Sequence, residues 1–241
     1  ENEEWLVPLQ KAFSDKGINA KEWFLNEGQV NLNAEPPQGV FYNRMSASSH
    51  TRGNRFAPEL TRATINWLEL HNRKVFNGSR AIYYEVDKFS QYCALHQNGI
   101  PTPKTVAVIG KSQLICAAQE FDQLPFIIKP NRGGKGLGVK LIRSIEEFES
   151  FLSGDEYEEP LDGTWLIQEY IQSTQSYITR AEFVNCKFLY TVKVNTESGF
   201  ELCPADVCEI SDAFCPTTKQ ESKFEIIHDY DQHPLITQLE N

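Results

Sequence analysis

The chain has 241 residues, 40% of them hydrophobic and 23% charged, with a formal net charge of −10. That length and apolar share suffice for one or two sizeable cores, while the acidic balance argues against general binding to nucleic-acid backbones, which needs a basic footprint. No apolar run approaches the roughly 18 residues of a membrane span and no signal peptide is visible, so neither insertion nor secretion is expected and the cytoplasm is the expected location.

Glu3 to Phe13 predicts an amphipathic helix, with no strand before it. Val40 to Tyr42 and Arg73 to Phe76 are strand-like, and Ala57 to His71 is helical around Leu60, Ile65, Leu68 and Leu70. The alternation predicts a small α/β domain; domains of this kind open with a strand, so a start a few residues upstream is expected. Between these elements lies a polar stretch, 43–55, whose Arg44, His50, Arg52 and Arg55 could receive a carboxylate. A solvated loop accounts for it equally well.

Asp87 to Asn98 predicts a helix with Phe89, Tyr92, Cys93 and His96 on one stripe and Lys88 in its first turn, stopped by Gly99, Pro101 and Pro103. Thr105 to Ile109 is a strand. Ser112 is read as the cap of a helix carrying Leu114, Ile115, Ala118 and Phe121 at helical spacing. Pro125 to Lys129 is the next strand, an apolar run closed by a lysine.

The segment that follows is the most informative in the chain. Gly133, Gly134, Gly136 and Gly138 alternate with Lys135 and Leu137 and lead into the strand Val139 to Ile142. Glycines let a backbone turn through positive φ and bring its N–H groups close to phosphate oxygens, and Lys129 and Lys135 supply cations. The pattern predicts a flap over a nucleotide triphosphate. It is neither G-x-x-x-x-G-K-[ST] nor a dinucleotide fingerprint, since the glycines open into a strand where that fingerprint needs a helix. Taken alone, the loop could equally be a plain hairpin turn.

Ser144 to Glu147 has the S-x-x-E form of a capping box before a helix burying Ile145, Phe148 and Leu152. Trp165 to Ile171 is a buried strand with Glu169 near its end. Tyr177–Val184 and Lys187–Val194 alternate strictly about the two-residue turn Asn185-Cys186. In an uninterrupted register Arg180 opposes Thr191 and lies diagonal to Lys193, which would aim both cations at one cleft. Six cysteines, at 93, 116, 186, 203, 208 and 215, include no C-x-x-C pair, so reduced thiols are expected. Cys203, Cys208 and Cys215 with His228 and His233 match no standard zinc spacing, and no metal ligand is assigned.

In this order and spacing the chain resembles the ATP-grasp superfamily and, within it, the RimK-like carboxylate-amine ligases, from about Gly39 onward. The carriers are Asn77-Gly-Ser-Arg-Ala-Ile82, Asp87-Lys88, Gly99 to Lys104, Phe126 to Asn131, the flap Gly133 to Gly138, Gln168-Glu-Tyr-Ile171 and Ile178-Thr-Arg180. The resemblance implies an α/β (α+β) ATP-grasp fold behind a small pre-grasp domain. Its expected divisions are residues 1–84, a nucleotide lobe at 85–167 and an incomplete catalytic lobe at 168–241. It implies ATP and magnesium as cofactors, and a small carboxylate and an amine, such as amino acids or peptides, as substrates; homo-oligomers stay open.

Carried over by position, Lys88 and Lys129 face the phosphates under the flap of Gly133, Gly134, Lys135, Gly136, Leu137 and Gly138. Gln168, Glu169 and the backbone of Tyr170 and Ile171 hold the adenine side, and Arg180, with Lys193, stabilises the transferring phosphoryl group. Lys88 could also be an ordinary solvated helix lysine. One departure is Ile178, where the resembled enzymes place an acidic residue for the ribose. A second is that no acidic residue stands two positions before any asparagine, so the late E-x-N motif is missing and the magnesium ligands are expected beyond residue 241. The chain alone is accordingly expected to be inactive. A nucleotide-binding module without ligase activity is the alternative; a kinase-type enzyme would need H-R-D and D-F-G segments, which are absent.

Overall fold

The computed structural model describes residues 3–134, 136–195, 224–227 and 230–240. Lys135, Cys203, Cys208, Cys215 and His228 lie outside the described residues. The chain divides into two compact units, Glu1–Val86 and Asp87–Asn241, so the lobes expected at 85–167 and 168–241 both fall in the second, except that Glu85 and Val86 belong to the first.

In the first unit, helix α1 spans Glu3–Asp15. Strands β1 (Val40–Tyr42) and β2 (Lys74–Phe76) pair in parallel, Phe41 against Val75. A parallel pair needs a crossover, supplied by helix α2 (Ala57–Leu70), which buries Ala57, Thr61, Thr64, Ile65 and Leu68. The segment before β1 is tied down by polar contacts: Trp67 Nε1 donates to Ala34 O at 2.9 Å, and the Arg73 guanidinium donates to Glu35, Pro36 O and Pro37 O. Helix α3 (Ser79–Glu85) follows β2. The polar stretch after β1 is not a plain solvated loop. Ala47–Arg52 forms a 3₁₀ helix with Ala47, Ser48 and Ser49 buried, capped by Ser46 and closed by Gly53 at φ 77°.

The second unit begins with helix α4 (Lys88–Gln97), whose cap Asp87 accepts from Ser90 N at 2.9 Å. Strand β3 (Thr105–Val108), helix α5 (Lys111–Phe121), strands β4 (Phe126–Pro130) and β5 (Lys140–Ile142), helix α6 (Ile145–Ser153) and strand β6 (Trp165–Glu169) follow. The strands form an antiparallel sheet in the order β3-β6-β4-β5. Period-2 alternation turns Phe126, Ile128, Ile142, Trp165 and Ile167 toward Leu114, Phe121, Phe148 and Leu152 of α5 and α6, and this is the main core. Phe126 and Phe148 meet edge to face, 5.3 Å between centroids.

One expected cap is corrected. Helix α5 is capped by Gly110 at φ 89°, ψ 135°, a conformation open to glycine, and Ser112 sits inside the first turn. The Ser144 cap forms as expected, accepting from Glu147 N at 3.1 Å, while the Glu147 carboxylate takes Arg143 N at 2.7 Å.

A second sheet holds β7 (Tyr177–Val184), β8 (Lys187–Asn195) and β9 (Phe224–Ile227) in that order, all antiparallel, followed by helix α7 (Pro234–Glu240). The turn is the expected Asn185-Cys186, both at positive φ, but the expected register fails beyond it. A bulge between Glu182 and Phe183 leaves Leu189 as an extra residue, so Arg180 opposes Val192 and Thr179 opposes Lys193. Because side chains alternate with period 2, the one-residue slip puts Arg180 and Lys193 on opposite faces of the sheet. The two cations therefore do not aim at one cleft. Among the described residues no helix is long and apolar enough to cross a membrane.

Candidate functional site

The alternation that buries Phe126 and Ile128 sends Ile127 and Lys129 to the opposite face of the first sheet, where Leu166 and Gln168 of β6 join them. There the half-buried Lys129 ammonium donates to Tyr92 Oη and Gln168 Oε1, both at 2.7 Å, and stands 5.1 Å from the Tyr92 ring centre. Gln168 is 5% exposed, and its amide orientation is set by its other end, where Nε2 donates to Thr105 Oγ1 at 2.7 Å. Both partners of Lys129 are neutral, and among the described residues no carboxylate pairs with it. A half-buried cation without a counter-charge favours an anion at its remaining N–H.

Lys88 sits one step away, at the root of the glycine-rich segment. Its ammonium donates to Asn131 O at 3.1 Å and Gly133 O at 2.5 Å, so the first turn of α4 grips the start of the flap. The flap is built from turns: Gly134 O accepts from Leu137 N and Gly136 O from Val139 N, both at 3.3 Å. Gly136 and Gly138 take φ 75° and 73°, and a Cβ on Gly138 would lie 3.1 Å from Pro130 Cδ. Leu137 is half exposed at the crest.

At the far end of β6, Glu169 Oε2 accepts from Lys104 N at 3.1 Å and Glu169 N donates to Lys104 O at 2.9 Å. The ladder stops at Glu169, two residues short of the expected end, which leaves Tyr170 and Ile171 beyond the paired edge. In the second sheet Arg180 Nε donates to Glu182 at 2.7 Å; Lys193, on the other face, lies 3.7 Å from Glu225 and 4.9 Å from the Tyr177 ring centre.

The first unit holds the four residues expected for a carboxylate. Arg44 lines an open hollow of about 380 Å³ with Asn43, Asn77 and Glu85. His50 Nδ1 lies 3.1 Å from Ala47 O, Arg52 Nη1 donates to Ser48 Oγ at 3.3 Å, and Arg55 stands 5.7 Å from the Phe56 ring centre.

Sequence reasoning missed Tyr92 and Thr105 as parts of this site. Tyr92 could have been suspected, because it lies four residues after Lys88 and hence on the same helix face.

Residues 85–200 match the family model described as the RimK-like ATP-grasp domain. A stretch of 101 residues is 37% identical to a D-alanine--D-alanine ligase of Petrotoga mobilis, covering 40% of this chain and 30% of that protein's length. Among solved structures, a RimK domain ATP-grasp protein from Sphaerobacter thermophilus superposes with a TM-score of 0.57 at 17% identity, covering 76% of this chain and 66% of its own. The D-cycloserine synthetase DcsG gives 0.58 at 17% identity over 97% of this chain and 73% of its own. At such identities the superpositions show a shared fold.

Proposed function

We propose, from the match of residues 85–200 to the RimK-like ATP-grasp family model, that the chain binds ATP against Lys129 and the flap, and uses it to join a carboxylate to an amine. The observation that carries this reading is the Lys129 ammonium, held by two neutral oxygens and lacking a carboxylate partner among the described residues. In the proposed reaction a substrate carboxylate oxygen attacks the γ-phosphorus and ADP departs, leaving an acyl phosphate. The amine then attacks the acyl carbon and phosphate leaves, so an amide bond forms; amino acids or peptides are the proposed substrates.

Lys129, Lys88 and the backbone of Gly133, Gly134, Gly136, Leu137 and Gly138 hold the phosphates. Glu169 with the backbone of Tyr170 and Ile171 meets the adenine edge, which shows a donor beside an acceptor. Arg180 is the proposed cation for the phosphoryl group in transfer, a role a guanidinium fits by its paired donors. Lys193 stands on the opposite face of the same sheet and is not paired with Arg180 in that role.

The fold family implies magnesium, a hard ion held by one or two carboxylates together with phosphates. Among the described residues no group of three or more His, Cys, Asp or Glu could hold a metal ion, and Glu182 and Glu225 of the second sheet face Arg180 and Lys193. A site of one or two carboxylates beside phosphates needs no such group, so the magnesium ligands stay unassigned. A second reading, an ATP-binding module without ligase activity, is favoured by the sequence, in which no acidic residue stands two positions before any asparagine. Calorimetry with ATP, followed by ADP release against a panel of amino acids and peptides, separates the readings. Binding with substrate-dependent ADP supports a ligase, binding without ADP supports the module, and absence of binding overturns both.

A further inference from the structure

We propose that Asp162, on the loop before β6, is a positioning residue for the phosphate flap, acting through Asn131; its consequence for nucleotide binding rests on the proposed function above. Asn131 follows β4 directly, is 5% exposed, and has each of its hydrogen-bonding groups engaged. Its backbone N donates to Thr164 O at 2.9 Å, and its backbone O accepts from Lys88 Nζ at 3.1 Å. Its side-chain Oδ1 accepts from Phe89 N at 2.8 Å, and Nδ2 donates to Asp162 Oδ2 at 2.9 Å.

The amide orientation follows from chemistry. Phe89 N can only donate, so oxygen must face it; the nitrogen must then face the acceptor, Asp162. Phe89 N is one of the first amides of α4, which lack a partner within their own helix. Asn131 thus docks the start of α4 onto the end of β4. Asp162 is itself held in place, since its Oδ1 accepts from Thr164 N at 3.2 Å.

Three elements meet at this one amide: the start of α4 with Lys88, the root of the flap at Gly133, and the loop leading to β6. Without the Asp162 acceptor a buried amide loses its partner and can rotate, releasing Phe89 N and loosening the carbonyls that Lys88 grips. Both carboxylate oxygens of Asp162 accept, one from Asn131 Nδ2 and the other from Thr164 N. An asparagine offers one acceptor oxygen and cannot serve both donors, so Asp162→Asn should loosen the lock in part and Asp162→Ala should break it.

The test has two arms on the full chain. In the first, without nucleotide, amide exchange is compared for wild type, Asp162→Ala and Asp162→Asn. Faster exchange at Phe89 in Asp162→Ala, and a smaller increase in Asp162→Asn, with both variants still folded by circular dichroism, is expected. Unchanged exchange at Phe89 overturns the proposal whether or not ATP binds. In the second arm ATP is titrated by calorimetry. Asp162→Ala should bind about tenfold more weakly, as for a lost hydrogen bond to a charged acceptor, with weaker protection at 133–138, and Asp162→Asn should fall between it and wild type. Wild-type-like affinity and flap protection in Asp162→Ala would overturn the positioning role. Failure of wild type to bind ATP would instead overturn the proposed function and leave the first arm to decide the lock.

Discussion

At the scale of single residues, Lys129 decides what the site can hold. Its partners are a phenol and a carboxamide oxygen, each 2.7 Å away, so an arriving phosphate need not displace a carboxylate. Lys129→Ala should cost on the order of 1.5–3 kcal/mol of ATP affinity, as for a charged hydrogen bond. Tyr92→Phe keeps the ring beside the ammonium but removes an acceptor, and should cost about 0.5–1.5 kcal/mol. Calorimetry of both variants checks this; unchanged affinity in Lys129→Ala would remove the lysine from the phosphate site. Lys129 and Gln168 were legible because each follows an apolar run on a strand, where a polar side chain is conspicuous. Tyr92 was not, because at helical spacing it passes for a packing residue, although α4 buries none of its residues fully. Asn131 and Asp162 stand 31 residues apart, and no local pattern can join them.

At the scale of elements, the Ser144 cap and the Asn185-Cys186 turn were legible, since their chemistry is local, whereas Gly110 and not Ser112 caps α5. Ser144→Ala should destabilise by about 1 kcal/mol, the usual worth of a lost helix cap, read as a lower melting temperature. Near the same cap, the Glu146 backbone amide and the Ser144 hydroxyl hold the Glu146 carboxyl below its ordinary value, and the Lys140 ammonium does the same for Glu156. A lowered folded-state value means stability present above the ordinary glutamate value of 4.5 and lost as pH falls through the folded value. Melting followed from pH 7 toward acid should therefore show a decline that is shallower in Glu156→Gln. Gly138→Ala should also destabilise, because a Cβ at φ 73° is strained and would press on Pro130. The bulge in the second hairpin was illegible for a physical reason. The alternation on each side of the turn is regular, and only the pairing between strands shows that Leu189 has no opposite residue.

At the scale of the whole molecule, the second unit depends on contacts between distant parts of the chain. Phe148→Ala should cost about 3–5 kcal/mol, since the ring is fully buried between helix and sheet, and denaturant unfolding measures it. The layered fold was legible from the alternation of apolar strands with capped helices, and the long-range pairings were not. Helix α7 is the clearest case. Gln238 Nε2 donates to Asn98 O at 3.1 Å across 140 residues of sequence, and Glu240 accepts from Phe188 N at 2.6 Å across 52. The partners of the helix lie far away in sequence, on α4 and the β7-β8 hairpin, and closing such long loops is costly, so α7 is expected to dock late in folding. Ile236 is 3% exposed, and Ile236→Ala, at a loss of about 2 kcal/mol, should raise the unfolding rate roughly 30-fold while refolding stays near wild type. Stopped-flow chevrons decide it, and an equal slowing of refolding would instead place α7 in the nucleus. On that expectation α7 acts as a latch, governing how long the native unit lasts more than how quickly it forms.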